Sequence, residues 1–443
     1  MASLEEGLER ALARAGLPPP TGLERLSGGA SMESWRFASG DAEFVLRRAP
    51  SVEMMEGRSL DHQAEARVIH AARQVSPFAP EVVAELEPGD GIGSGFVMRA
   101  KRGTADPAAV LDDPEPGRSL AFIATVLAEI HTVDPKIDGL PVMDTGVALS
   151  ELKARFLGYG GDRPVIALAL RWLETNLPGP IEPGFVHGDF RTGNLMVHDG
   201  WLSGVLDWEL AHAGDYHEDL AYACMTVWAF SRPDRPALGL GSIDAWIDSY
   251  EVNGGRPVDA KRFRFWLVYR TCWWALGCLQ MGQYWRDGHD RSIERVVIAR
   301  RTAEQELDLL MLLEADAPDE ERARELPRAY PLPQQHLGEP GGAEMLTAVS
   351  EWLGSAIKPL VEGRTAFDLA VARNALGIVS RELALRPLAS DPDLAAELLA
   401  GEKDLATPGV LARLRRMALD KLTADMPKYP ALALARAAWE EPA

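Results

Sequence analysis

The segment from His187 to Glu209 constrains the fold of this chain more than any other part of the sequence. It contains the run HGDFRTGNLMV and, a few residues later, the run VLDWE. Its apolar stretches, 195–197 and 202–206, predict a short β-hairpin. One loop beside this hairpin carries Asp189 and Asn194, and the loop after it carries Asp207. The chain is therefore expected to fold so that these three polar side chains converge.

These three side chains suit the transfer of a phosphoryl group. Such a reaction needs Mg²⁺ to neutralise the phosphate charge and a carboxylate to orient the attacking hydroxyl and accept its proton. Asn194 and Asp207 offer the hard oxygen ligands that Mg²⁺ prefers, which leaves Asp189 as the general base. The alternative to a catalytic site is that the HGD run is a plain turn and that Asp207 caps the end of a strand. That interpretation requires several independent coincidences of residue type and spacing.

The runs HGDFRTGNLMV and VLDWELAHAGD resemble the aminoglycoside phosphotransferase and choline kinase family. Protein kinases have a different tripeptide in place of HGD and a DFG motif at the second aspartate. The resemblance implies a protein-kinase-like fold over roughly residues 20–313, with ATP and Mg²⁺ as cofactors. It also implies structural roles, and not chemical ones, for His187, Asp215 and Asp219.

The resemblance also suggests where a nucleotide would bind. Gly28, Gly29 and Ser31 resemble the family's nucleotide loop, in which small residues let backbone N–H groups approach phosphate oxygens. Taken alone, such a run is more often a plain turn. The segment Phe96–Lys101, which includes Met98, is expected to contact the adenine through its backbone where two lobes join.

An arginine stands where this fold usually places a phosphate-binding lysine. The matching segment is Phe44–Arg48, and no lysine precedes Lys101. Period-two alternation puts Arg47 and Arg48 on opposite faces of the strand, and we expect Arg47 to face the nucleotide. A guanidinium can bind phosphate through two parallel hydrogen bonds. Glu65, on the following helix, is its expected ionic partner, although a solvated glutamate is the alternative.

The hydrophobic pattern predicts a small strand-rich lobe followed by a helical one. Residues 26–48 form two expected strands around the turn Ser39-Gly40-Asp41, and residues 93–98 form another strand. Residues 60–73 have the apolar spacing of a helix, as do 121–131 and 165–176.

The predicted fold class is therefore α+β, a protein-kinase-like two-lobe fold with an added C-terminal all-α bundle. The expected boundaries are an N-terminal nucleotide-binding lobe at 1–101, a catalytic lobe at 102–313, a linker at 314–343 and a helical accessory domain at 344–443. The linker is charged and rich in proline, which cannot continue a helix. The apolar faces of the last domain make a homodimer possible.

Charge and cysteine content narrow the possible partners. The net charge of −20 disfavours nucleic acid and anionic membrane surfaces. The apolar stretch 265–281 is broken by Arg270 and Gln280 and predicts a buried helix. Only three cysteines are present, without metal or disulfide spacing, and no signal peptide is apparent. These features favour a cytoplasmic protein.

The predicted activity is transfer of the γ-phosphoryl group of ATP to a hydroxyl of a small molecule. Residues 231–244 contain Arg232 and Arg235 beside Asp234 and Asp244, which is not the acidic lining that a polycationic aminoglycoside would favour. Exposed surface charge explains these residues equally well. The preferred acceptor is an alcohol, a hydroxy acid or an acyl-CoA-linked hydroxyl, and not an antibiotic. The LRR run at 46–48 resembles the phosphotransferase domains fused to acyl-CoA dehydrogenases. The alternative is a nucleotide-binding pseudokinase whose C-terminal helices recruit a partner.

Overall fold

The computed structural model describes residues 3–26, 32–51, 53–55, 57–230, 232–327, 339–388 and 390–440. The strands among these residues are β1 (Thr21–Arg25), β2 (Glu33–Ser39), β3 (Ala42–Ala49), β4 (Val82–Glu85), β5 (Ser94–Arg99), β6 (Gly184–Val186), β7 (Leu195–His198), β8 (Trp201–Val205) and β9 (His212–Gly214).

The α-helices of the same residues fall into three stretches of the chain. Those of the first half are α1 (Leu4–Arg14), α2 (His62–Val75), α3 (Pro107–Leu111), α4 (Pro116–Ile130), α5 (Thr145–Gly158), α6 (Pro164–Thr175) and α7 (His217–Tyr222). The next are α8 (Ile243–Val252), α9 (Ala260–Arg286), α10 (Ile293–Arg300), α11 (Thr302–Leu313) and α12 (Asp319–Arg322). The last are α13 (Gly342–Trp352), α14 (Gly363–Leu385), α15 (Pro392–Ala400), α16 (Val410–Asp425) and α17 (Pro430–Trp439).

The chain divides into two compact units. Unit 1 comprises Met1–Thr145 and Gly179–Arg264, and unit 2 comprises Gly146–Pro178 and Phe265–Ala443. The lobe, linker and accessory-domain boundaries expected from the sequence remain a prediction.

Unit 1 is built on an antiparallel sheet of five strands in the order β1-β2-β3-β5-β4. The predicted hairpin in its centre is confirmed, with Gly40 at positive φ in the turn between β2 and β3. Helix α1 covers one face, where its Leu8 and Leu12 pack with Phe44 and Leu46 of β3. Because side chains alternate along a strand, Arg47 lies on the opposite face.

Helix α2 brings an acidic side chain to that opposite face. The helix begins after Asp61, whose side chain accepts a hydrogen bond from the backbone N–H of Ala64 at 2.7 Å. This is the preferred way to satisfy a free donor at a helix start. The cap fixes the first turn, in which Glu65 is buried.

Unit 2 is helical, and α11 lies at its centre. Helix α11 packs against α6, α16 and α17, and α6 also packs against α15. Polar contacts join the last helices to this centre: Tyr429 donates to Asp308 at 2.6 Å, and Trp439 Nε1 donates to Glu314 at 2.8 Å. The helices of the expected accessory domain thus find partners within unit 2.

The apolar stretch 265–281 lies within α9, and the prediction of a buried helix is confirmed by the near-complete burial of Trp266 and Tyr269. Among the described residues, no helix combines the length and the apolar character that crossing a membrane requires.

Candidate active site

The β7–β8 hairpin holds two loops side by side, as the sequence predicts. Leu195 pairs with Val205, and the backbone N–H of Leu206 donates to the carbonyl of Asn194 at 2.8 Å. This bond ties the loop that contains Asp189 directly to the loop that contains Asp207. The two loops therefore keep a fixed separation.

The loop before β7 is fixed by a buried carboxylate. Asp219 accepts hydrogen bonds from the backbone N–H groups of His187 and Gly188 at 2.7 and 2.8 Å. Burial opposes the charge of this carboxylate, but the His131 side chain and the His187 backbone outweigh that effect and lower its pKa. Gly188 has φ near +82°, and a Cβ there would collide with the Leu210 carbonyl. Only glycine fits this turn without strain.

His187 supports this loop through the contacts of its buried ring. Its Nδ1 lies 3.1 Å from the backbone N–H of Asp189, and its ring packs 4.5 Å from the ring of Trp208. Complete burial lowers the pKa of His187, so the ring is neutral near neutral pH. These contacts agree with the structural role expected for it.

Asp189 is held on both sides by side chains of its own loop. Its Oδ2 accepts from Asn194 Nδ2 at 2.6 Å, and its Oδ1 accepts from Arg191 Nε at 3.0 Å. Because Nδ2 of Asn194 is used on Asp189, the amide oxygen is left for another partner. Asn194 can therefore orient the carboxylate and still present an oxygen ligand.

Asp207 has an unusual backbone and an unsatisfied oxygen. Its φ of 66° is in the left-handed region, which aspartate and asparagine tolerate better than most residues. Its buried Oδ1 lies 3.0 Å from Arg47 Nη2 but meets no donor in hydrogen-bond geometry within the described chain. Together with the amide oxygen of Asn194, this is a donor set that fits Mg²⁺.

Arg47 reaches into a group of carboxylates. Its Nε lies 3.4 Å from Glu65, and Nη2 contacts both Asp207 and Glu209. Arg58 Nη1 makes a second ion pair with Glu209 at 2.8 Å. Burial raises the pKa of Glu65 to about 7 although Arg47 opposes the shift, and the surrounding carboxylates raise the pKa of Arg47, which stays charged.

Arg48 turns to the other side of β3. Its Nη2 pairs with Glu33 at 2.8 Å, and its Nη1 donates to the Ile92 carbonyl at 2.9 Å. The structure therefore brings Arg47, and not Arg48, to the two loops.

A cleft of about 570 Å³ opens beside these groups. Met98 lies in its wall, as does Phe96 of the segment expected to contact adenine. The apolar side chains of the wall include Val45, Phe96, Met98, Met196 and Leu206, and the polar ones include Arg47, Glu65, Asn194 and Asp207. A cleft with both kinds of lining suits a nucleotide, whose base is flat and whose phosphates are charged. The expected phosphate-loop residues Gly28, Gly29 and Ser31 lie outside the described residues.

Three charged residues of this site were not singled out from the sequence. Arg191 contacts the expected base, and Glu209 and Arg58 extend the ion-pair group around Arg47. Arg191 and Glu209 each lie two residues after a predicted site aspartate, and this closeness in sequence could have identified them as site residues. Arg58 is not near a predicted site residue in the sequence, so no local pattern indicates it.

The sequence of this chain matches the model of a known protein family. The model of the phosphotransferase enzyme family, abbreviated APH, covers residues 22–257, which is more than half of the chain. The chain belongs to this family, and the resemblance seen in its sequence is confirmed.

The similar curated proteins are all longer. Acyl-CoA dehydrogenase family member 10 of Mus musculus is 26% identical over 270 residues, which is 55% of this chain and 25% of that protein. Acyl-CoA dehydrogenase family member 11 of Gallus gallus is 30% identical over 255 residues, which is 53% of this chain and 32% of that protein. The chain thus spans about a quarter to a third of these two relatives.

Solved structures show the same fold. A putative aminoglycoside phosphotransferase from Ralstonia eutropha aligns with a TM-score of 0.58 at 21% identity, over 70% of this chain and 98% of the other. A second structure is a thermostable mutant of aminoglycoside phosphotransferase APH(4)-Ia in a ternary complex with AMP-PNP and hygromycin B. It aligns with a TM-score of 0.50 at 17% identity, over 71% of this chain and 99% of the other. The predicted kinase-like α+β fold with added C-terminal helices is confirmed.

Proposed function

We propose that this phosphotransferase transfers the γ-phosphoryl group of ATP to a hydroxyl of a small molecule. The observation that carries the proposal is the position of Asp189, which is hydrogen-bonded to Asn194 while the Asn194 backbone is bonded to the loop of Asp207. A base and two oxygen ligands on adjoining loops are what phosphoryl transfer requires.

In this mechanism the residues of the chain bind, orient and accept a proton. Arg47 would hold phosphate oxygens, and Asn194 and Asp207 would bind Mg²⁺, which neutralises phosphate charge. Asp189 orients the acceptor hydroxyl and accepts its proton while the oxygen bonds to the γ-phosphorus and the bond to the ADP oxygen breaks. The products are a phosphate monoester and ADP.

The acceptor that we favour is a hydroxylated acid or an acyl-CoA-linked hydroxyl. The similar curated proteins described above bear the name of acyl-CoA dehydrogenases. Arg232, in the stretch 231–244, lies 3.5 Å from Asp112, whose side chain is largely exposed. This stretch offers cations to an anionic acceptor and supports the proposal over a polycationic one.

A panel of acceptors tests the proposal. Consumption of Mg·ATP would be measured with hydroxylated acids, their CoA esters and aminoglycosides, each at the same concentration. We expect acids or CoA esters to stimulate consumption most. Stimulation by aminoglycosides alone would contradict the acceptor class, while tight Mg·ATP binding without consumption by any acceptor would favour the pseudokinase alternative.

Self-association through the C-terminal helices stays a prediction. Met345, Val349 and Trp352 are exposed and spaced along one side of α13, and they would suit a second copy.

We expect Arg47→Ala to weaken Mg·ATP binding by about tenfold or more, because charged hydrogen bonds to phosphate contribute roughly 1.5–3 kcal/mol. Arg47→Lys should restore part of the affinity, since it keeps the charge but loses the planar fork. Isothermal titration calorimetry measures both.

Arg48→Ala is the matched control, because Arg48 is on the same strand but turns to Glu33. It should bind Mg·ATP as the parent does. A loss of affinity in Arg48→Ala, with none in Arg47→Ala, would show that the opposite face of β3 carries the phosphate contact.

A further inference from the structure

We propose that Arg191 binds the terminal phosphoryl group of the nucleotide at the moment of transfer, beside the proposed base. The inference rests on the proposed function, which it extends by naming the side chain that contacts the group being moved. It is drawn from the position, the support and the unused donors of this arginine.

The guanidinium of Arg191 is held in place from three directions. Its Nε donates to Asp189 Oδ1 at 3.0 Å, and its central carbon lies 4.6 Å from the centre of the Trp228 ring. On a third side it lies against Gly193, where a Cβ would approach Nη1 to 2.5 Å. A planar cation that is stacked and bonded in this way is oriented before any ligand arrives.

The terminal nitrogens of Arg191 remain available. Neither Nη1 nor Nη2 has a hydrogen-bond partner among the residues that the structure describes, and about a quarter of the side chain is exposed. Burial opposes its charge, but the nearby Asp189 carboxylate outweighs this effect and raises the pKa of Arg191. Arg191 therefore keeps its charge and two terminal nitrogens with unused N–H donors while its Nε is bonded to the proposed base.

The other arginines of the site also have carboxylate partners. Arg47 contacts Glu65, Asp207 and Glu209, and Arg58 contacts Glu209. Arg58 and Arg191 each pair with a single carboxylate, but the partner of Arg191 is the proposed base itself. The unused donors of Arg191 are therefore beside the place of reaction, where they can bind an incoming anion.

The place where that anion must lie follows from the reaction. The acceptor oxygen has to be within hydrogen-bond reach of Asp189, and the phosphorus lies about 3–3.5 Å further on, in line with the attack. A guanidinium bonded to the same carboxylate is therefore within reach of the oxygens of the transferred group. Such a contact stabilises charge on those oxygens during transfer.

The test compares two nucleotides that differ by the terminal phosphate. The affinities of Mg·AMP-PNP and Mg·ADP would be measured by calorimetry for the parent, Arg191→Ala and Arg191→Lys. We expect Arg191→Ala to lose about tenfold or more of its AMP-PNP affinity while its ADP affinity is unchanged, and Arg191→Lys to recover part of the loss.

Arg118→Ala is the matched control, because Arg118 also stacks on a tryptophan, Trp201, at 4.2 Å, but its carboxylate partner is Glu115 and not the proposed base. It should leave both affinities unchanged. If Arg191→Ala bound Mg·AMP-PNP as tightly as the parent, the proposed role of Arg191 would be wrong. It would also be wrong if Arg191→Ala lost affinity equally for Mg·AMP-PNP and Mg·ADP, because the loss of a purely structural residue would have that effect. A parent that binds neither nucleotide would instead overturn the proposed function and, with it, this inference.

Discussion

Asp189→Asn is expected to lower turnover by about 10² to 10⁴, the usual contribution of a positioned general base, while Mg·ATP binding is retained. The amide keeps the size of the carboxylate and one acceptor oxygen, but it cannot accept the proton of the hydroxyl. In the structure, Asp189 accepts hydrogen bonds from Asn194 and Arg191, and the amide oxygen of an asparagine could still accept one of them. Steady-state rates with an acceptor from the panel, together with calorimetric binding of Mg·ATP, measure the two effects separately.

Asp199→Asn is the matched control for this substitution. Asp199 lies in the turn between β7 and β8, has φ near 50° and is largely exposed, and asparagine tolerates this conformation well. Its turnover should equal that of the parent. Normal turnover in Asp189→Asn would contradict the assignment of the base.

Asp207→Asn should act on binding instead. We expect a loss on the order of 10 to 100-fold in the affinity for Mg·ATP, because a neutral amide oxygen replaces a charged ligand of the cation. The positive φ of Asp207 is equally accessible to asparagine, so the backbone of the loop should be preserved and the effect assigned to charge.

The measurement is a nucleotide titration with and without Mg²⁺. Without the metal, Asp207→Asn should bind ATP no more weakly than the parent, because Arg47 is then relieved of one of its carboxylate partners. If Asp207→Asn bound Mg·ATP as tightly as the parent, the loop after β8 would not hold the metal.

Much of the fold around the site could be predicted because its elements have strong local patterns. The hairpin of β2 and β3 combines alternating apolar residues with a Gly-Asp turn, and the β7–β8 hairpin has two short apolar runs. Strand β1 was missed because Thr21–Arg25 is mostly polar and exposed, so it has no buried side to reveal it. Strands β6 and β9 have three residues each, which is too few for a period.

The candidate site could be predicted only where residue type and spacing are both local. Asp189, Asn194 and Asp207 lie within one short segment. The contact between Arg47 and Glu209 spans 162 positions, and no local pattern indicates it. The orientation of Arg191 likewise depends on Trp228, which the fold brings to it from another element.

The central claim is that this chain moves the γ-phosphoryl group of ATP to a hydroxyl by means of Asp189. The most direct test is ³¹P NMR of the parent and Asp189→Asn with Mg·ATP and the most stimulating acceptor. The account predicts that the parent loses the γ-phosphate signal and gains ADP and phosphate-monoester signals in equal amounts, whereas Asp189→Asn shows both changes at least about 10²-fold more slowly. Release of inorganic phosphate without any monoester signal, or equal rates in the two proteins, would contradict it.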